Sequence, residues 1–117
     1  MKGININDST QPFTELILSG EKTIETRNTN SLRPYVGKKV GIIRTGKGQA
    51  MLVGYMVLGE PIKYLSRTAF YADIRKHLVG EDSPFAFEGR KYGYPITNVK
   101  RTKPVPVNSR GIVARTV

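Results

Sequence analysis

The chain has 117 residues, no cysteine and a formal net charge of +10. That length is one domain, 1–117, able to bury a core without staples, and the lack of cysteine excludes disulfides and thiolate metal sites. Residues 1–8 are polar and mixed, unlike a signal peptide, and no apolar run approaches membrane-spanning length, so a soluble, cytoplasmic protein with no membrane partner is expected.

The first predicted element is a helix over 12–19. Thr10 or Gln11 starts it, and Pro12 suits a first turn whose amides are unpaired anyway. Phe13, Leu16 and Ile17 give one buried stripe, and Gly20 is the stop. The β-branched run 23–27 reads as a strand. In regular alternation Thr23, Glu25 and Arg27 share one face, and Ile24 faces the core. Lys22 stands at the irregular entry to this strand, outside the core pattern.

Residues 28–35 are turn-rich. A strand over 38–44, a glycine-rich hairpin turn over 45–49 and a long apolar strand over 50–58 follow, with Gly54 marking a bulge or bend. Residues 62–64 form a brief pairing segment. Ser66 caps a predicted helix running to Leu78, with Phe70, Ile74 and Leu78 as its stripe, and Gly80 ends it. Residues 81–89 form a partly acidic loop. The last strands are placed at 96–101, 105–107 and 112–117. Short strands with two helices, twelve glycines and seven prolines describe a small α+β domain, mostly β.

Gly20-Glu21-Lys22-Thr23-Ile24-Glu25-Thr26-Arg27 carries a glycine, lysine, glutamate and arginine at the spacing of the ASCH family signature. Tyr92 to Arg101, with Asn98-Val99 before the basic pair Lys100-Arg101, resembles that family's closing strand. Both stretches stand in the expected order near opposite ends of the chain. The resemblance implies a small PUA-like β-barrel, closed or nearly closed and capped by two helices.

It also implies a site. Some members of the family resemble amidohydrolases that deacetylate acetylated cytidine with a lysine in the octet, a threonine three residues later and a helix carboxylate. Carried over, the lysine is Lys22 and the carboxylate Asp73, and the threonine place is held by Glu25. From the residues alone, Lys22 is a point charge for a phosphate or carbonyl, or a base if buried. Glu25 pairs with a basic neighbour, accepts from a nucleobase edge or orients Lys22. Arg27 is a structural partner or a phosphate contact, because its guanidinium does not shed its proton. Asp73 stands four residues before His77, the single histidine.

The positive charge is unevenly spread. No acid occurs between Arg27 and Gly59 or after Glu88, and basic residues there alternate with tyrosines. Such a surface attracts polyanions and offers rings to bases. The expected partner is RNA or a modified nucleoside. Catalysis would involve Lys22, Glu25 and Asp73, ligand contacts Thr23, Arg27, Tyr92, Tyr94 and Asn98, and RNA contacts Arg44, Lys47, Lys100, Arg101 and Lys103. One histidine and no cysteine leave no protein-built zinc site, and no cofactor is expected. The reading is a nucleotide- or RNA-binding module. The alternatives are a nucleoside amidohydrolase or metal-independent ribonuclease in the same cleft, and a protein-interaction domain.

Overall fold

A computed structural model describes residues 1–117. Its strands are β1 (Lys2–Asn7), β2 (Ile24–Arg27), β3 (Lys39–Thr45), β4 (Met51–Leu58), β5 (Ile62–Tyr64), β6 (Lys91–Pro106) and β7 (Ala114–Thr116). Its helices are α1 (Phe13–Leu18), α2 (Arg67–Ala72) and α3 (Ile74–His77), with a short 3-10 turn at Arg33–Tyr35. The strands join one sheet in the order β2-β6-β4-β3-β1-β7, with β5 also on β6. The sheet curls into a half-barrel and stays open between its edges, where closure or near closure was expected.

β6 organises the molecule. Its first residues pair with β2 and β5, and from Ile96 onward it pairs with β4. The two late strands expected at 96–101 and 105–107 are therefore parts of one strand that begins at Lys91. The residues before 8, unassigned in the sequence, form β1. It lies parallel to β3 and antiparallel to β7. Ile4 and Ile6 enter the core, while Asn5 alternates with them on the other side.

The main core fills the concave side with residues such as Ile17, Ile42, Met56, Leu58, Phe70 and Tyr94. Ile43, Ala50, Leu52 and Val107 make a smaller cluster of their own. Gly54 is needed where β4 crosses β6. An added Cβ there would stand 2.5 Å from the Lys100 carbonyl oxygen and 2.7 Å from Leu18 Cδ2, and the pairing register shifts on both sides of it.

The helices depart from expectation in two places. The start of α1 is fixed from Asp8, whose buried carboxylate accepts the Thr14 amide at 3.0 Å and its hydroxyl at 2.5 Å. Neither Thr10 nor Gln11 caps it, and Pro12 is the flanking residue. The single helix expected over 66–78 is two helices meeting at Asp73. Ser66 does cap α2, accepting from the Ala69 amide. Beyond the break His77 takes the buried position and Ile74 turns outward. Leu78, with φ of 61°, ends α3 before Gly80 is reached. No helix is long and apolar enough to cross a membrane.

Candidate functional site

The octet is shaped by its backbone before its side chains. Gly20, with φ of 84°, turns the chain out of α1. The Lys22 amide then returns to the Leu16 carbonyl at 2.9 Å. Thr23 is held on both sides: its amide donates to Lys76 and its carbonyl accepts from Ile96, each at 2.8 Å. The Thr23 side chain is consequently exposed and does not enter the site.

This turn drives Lys22 inward, to 2% exposure. Its ammonium donates to the His77 peptide oxygen. It also lies 4.7 Å from the centroid of the Phe13 ring and 3.7 Å from Glu25 Oε1. The other Glu25 oxygen takes an N–H of Arg27. The second Arg27 nitrogen donates to the Asn5 carbonyl at 2.7 Å. β2 and β1 are not paired in the sheet, so Arg27 bridges the open seam of the half-barrel. Burial lowers the affinity of Lys22 for its proton, against the opposing pull of Glu25.

These residues line a cleft of about 500 Å³. Asn5 to Asn7 and Thr45 border it on the β1 and β3 side, and Pro84 to Ala86 form another wall. Phe85 meets Phe13 edge to face, with centroids 6.2 Å apart. The segment 111–113 and Arg115 border it as well. Asn5 holds that segment, donating to the carbonyls of Gly111 and Ile112 and accepting from Arg115 at 3.1 Å.

Sequence reasoning did not single out four of the residues that line this cleft. Lys91, at the start of β6, is a second buried lysine, and burial lowers its proton affinity too. Glu88, Thr26 and Arg115 complete the set. Strand periodicity could not have found Thr26, because Ile24, Glu25 and Thr26 are all buried. Lys91 reads in sequence as half of a basic pair with Arg90. The only sign of Glu88 was the acidic loop around it.

The other expected site residues lie elsewhere. Asp73 accepts the Tyr64 hydroxyl at 2.5 Å and is not among the residues lining the cleft. Burial, reinforced by that carboxylate, pushes the Tyr64 hydroxyl well above the usual phenol range. Tyr94 is sealed in the core. Tyr92 is half-buried, with the Lys63 ammonium 5.7 Å from its ring centroid. Asn98 is exposed on β6 in a left-handed conformation, φ 52°. Arg44, Lys47 and Arg101 line a different hollow, and Lys100 and Lys103 are exposed. No group of three or more histidine, aspartate or glutamate side chains is placed to hold a metal ion.

No family model matches the chain, and no curated protein is similar to it in sequence. Solved structures do match. The crystal structure of ASCH from Zymomonas mobilis superposes with a TM-score of 0.72, covering 92% of this chain and 73% of that one at 18% identity. A serine-to-alanine mutant of that protein gives 0.71, covering 90% and 72%, also at 18% identity. A tyrosine-to-phenylalanine mutant gives 0.72, covering 92% and 76%, again at 18%. The likeness extends over nearly the whole chain. The chain has the fold of these ASCH structures.

Proposed function

We propose that the cleft binds one nucleotide unit of an RNA strand or a modified nucleoside. One observation carries this reading: two buried lysines, Lys22 and Lys91, line the same cleft as Glu25 and Arg27. Keeping ammonium groups out of water is costly unless they are paired. Four cations, Lys22, Arg27, Lys91 and Arg115, stand there against two acids, Glu25 and Glu88. The excess suits an anion or a polarised carbonyl. The volume falls within the range of roughly 300–1,000 Å³ usual for small-ligand sites. Phe13 and Phe85 offer apolar surface for a ring. The cations supply affinity, and Glu25 and Glu88 supply acceptors for a base edge.

The test is a fluorescence titration of short single-stranded RNA at two salt levels. Binding should weaken steeply with salt, since each neutralised phosphate releases counterions. Lys22→Met should abolish it. No binding of RNA or nucleoside at low salt overturns the reading.

A second reading, hydrolysis in the same cleft, is favoured by the proximity of Glu25 to Lys22. Glu25 would take a proton from a water that adds to the acyl carbon of an amide while Lys22 holds the acyl oxygen. It would return that proton to the nitrogen as the C–N bond breaks, releasing acetate and the amine. Glu88, which borders the cleft, replaces Asp73 as the further carboxylate in this scheme. The native protein is expected to hydrolyse acetylated cytidine weakly or not at all, because Glu25 stands at the threonine place. Chromatography of product from the native protein and Glu25→Thr checks this. Rapid native turnover, lost in Lys22→Ala and Glu25→Ala, makes the protein an amidohydrolase.

A further inference from the structure

A second hollow, of about 440 Å³, shares α1 with the cleft. Phe13 lines the cleft, whereas Thr14, Glu15 and Leu18 line the hollow. Its charged residues are Asp8, Glu15, Arg44, Lys47 and Arg101. Both acids are engaged. Asp8 holds Thr14 through its amide and hydroxyl. Glu15 takes two N–H groups of Arg101, at 2.9 and 2.7 Å. Arg44 and Lys47 make no ion pair, and Arg44 Nε is buried without a hydrogen-bond acceptor. Arg44 and Lys47 thus bring unpaired positive charge to the hollow, which suits an anion.

We propose that this hollow binds backbone phosphate of the same RNA strand whose neighbouring unit sits in the cleft, a proposal that rests on the nucleotide reading of the cleft. The two sites are joined through the chain itself. Asn7 and Thr45 border the cleft, while the adjacent Asp8 and Arg44 border the hollow. Lys47, on the hairpin turn, is exposed beside Arg44. The Thr102 side chain adds a hydroxyl donor to the wall.

Strand geometry divides the basic residues. On β6, Arg101 pairs with Gly54 and Lys100 with Tyr55. Adjacent strand residues point to opposite faces. Arg101 turns toward Glu15 on α1, and Lys100 turns away. Arg44 and Lys47 are thus the free cations of the hollow, and Lys100 is a charge of the same sign outside it.

The experiment titrates a five-nucleotide single-stranded RNA and a mononucleotide at two salt levels. The proteins are the native chain, Arg44→Ala/Lys47→Ala, Lys47→Glu and Lys100→Ala, with melting temperatures measured in parallel. Lys47→Glu changes only an exposed turn residue and keeps the test valid if the double variant misfolds. The double variant should lose about tenfold or more in oligomer affinity at low salt, and its salt slope should fall by about 1.4, roughly 0.7 per lost single-strand phosphate contact. Lys47→Glu should weaken the oligomer too. Mononucleotide affinity should be the same in all four proteins, and Lys100→Ala should bind the oligomer like the native chain. Unchanged oligomer binding in the double variant and Lys47→Glu overturns the proposal. So does an equal loss in Lys100→Ala, which would mean diffuse charge attraction. Arg44-dependent binding of an acidic peptide without binding of the oligomer also overturns it. Oligomer binding that depends on Arg44 and Lys47, with no mononucleotide binding by any protein, upholds the hollow and defeats the nucleotide reading of the cleft.

Discussion

The Lys22 ammonium donates to the peptide oxygen of His77, 55 residues further along the chain. The lysine of the octet is therefore aimed by the end of α3. His77 is locked in turn. Its Nδ1 accepts the Val79 amide at 3.0 Å, so the proton sits on Nε2, which donates to the Phe70 carbonyl at 2.7 Å. The ring stacks on Phe70 with centroids 4.0 Å apart.

That arrangement requires a neutral imidazole, and it predicts acid sensitivity. Burial holds the His77 pKa below its ordinary 6.5, and Lys22 and Lys91 push the same way against the Phe70 carbonyl and Asp73. Between the folded value and 6.5 the unfolded chain binds a proton that the folded chain refuses. Stability should therefore be fully present above about pH 6.5 and fall as the pH drops below it. Melting temperatures from pH 8 to pH 5 should show the decline, and His77→Gln should flatten it. An equally steep fall in that variant would place the acid sensitivity elsewhere.

Two substitutions in the octet should act in different ways. Lys22→Met removes a buried ammonium, leaves Glu25 paired with Arg27 and frees only the His77 carbonyl, so stability should stay within about 1 kcal/mol of native. Ligand binding should be lost. Glu25→Ala leaves Lys22 and Arg27 without their carboxylate and should cost about 3–5 kcal/mol. Denaturant melts of both variants check this. A large loss of stability in Lys22→Met would make Lys22 a structural residue.

Asp73 should prove structural. Asp73→Ala leaves the Tyr64 hydroxyl without its acceptor, at a cost of about 1–3 kcal/mol. Ligand affinity, measured well below the melting temperature, should stay within twofold of native. A selective loss of binding or turnover with unchanged stability would return Asp73 to the site.

Gly54→Ala should destabilise by about 1–3 kcal/mol. The new methyl would meet the Lys100 carbonyl, which is backbone and part of the β4–β6 pairing. Thermal unfolding measures it. A neutral result would mean that β6 yields at this crossing.

The octet was legible because its signals are local. Gly20 had to turn the chain, and Glu25 and Arg27 stand at the spacing of the motif, although the alternation that joined them to Thr23 fails, since Thr23 is exposed and Thr26 lines the cleft. Gly54 was legible for the same reason. β1 was not, because Ile4 and Ile6 alternate with Asn5 and Asn7 in a run too short to declare itself, and its parallel partner β3 lies far along the chain. β6 read as two strands with a gap at 102–104, although the strand runs unbroken from Lys91 to Pro106 and carries Pro95 and Pro104 within it. Asp73 belonged to a helical pattern, and its bond to Tyr64, from a neighbouring strand, is encoded by neither segment alone. Lys22 read as a charge outside the core pattern, with its direction left open. Its burial depends on Phe13, Glu25 and the His77 carbonyl meeting in space, which no single segment encodes.

The reach of β6 also sets an order of assembly. β1, β3 and β4 can pair among themselves as soon as residues 2–58 have left the ribosome. β2 has no other strand partner than residues 92–95 of β6, so the strand that carries Glu25 and Arg27 waits until those residues have been made before it is paired. Long-range pairing of this kind is slow to form. A nascent chain shorter than about 95 residues can hold part of the scaffold, and the cleft is completed only after residues 111–115, which also border it, have been made.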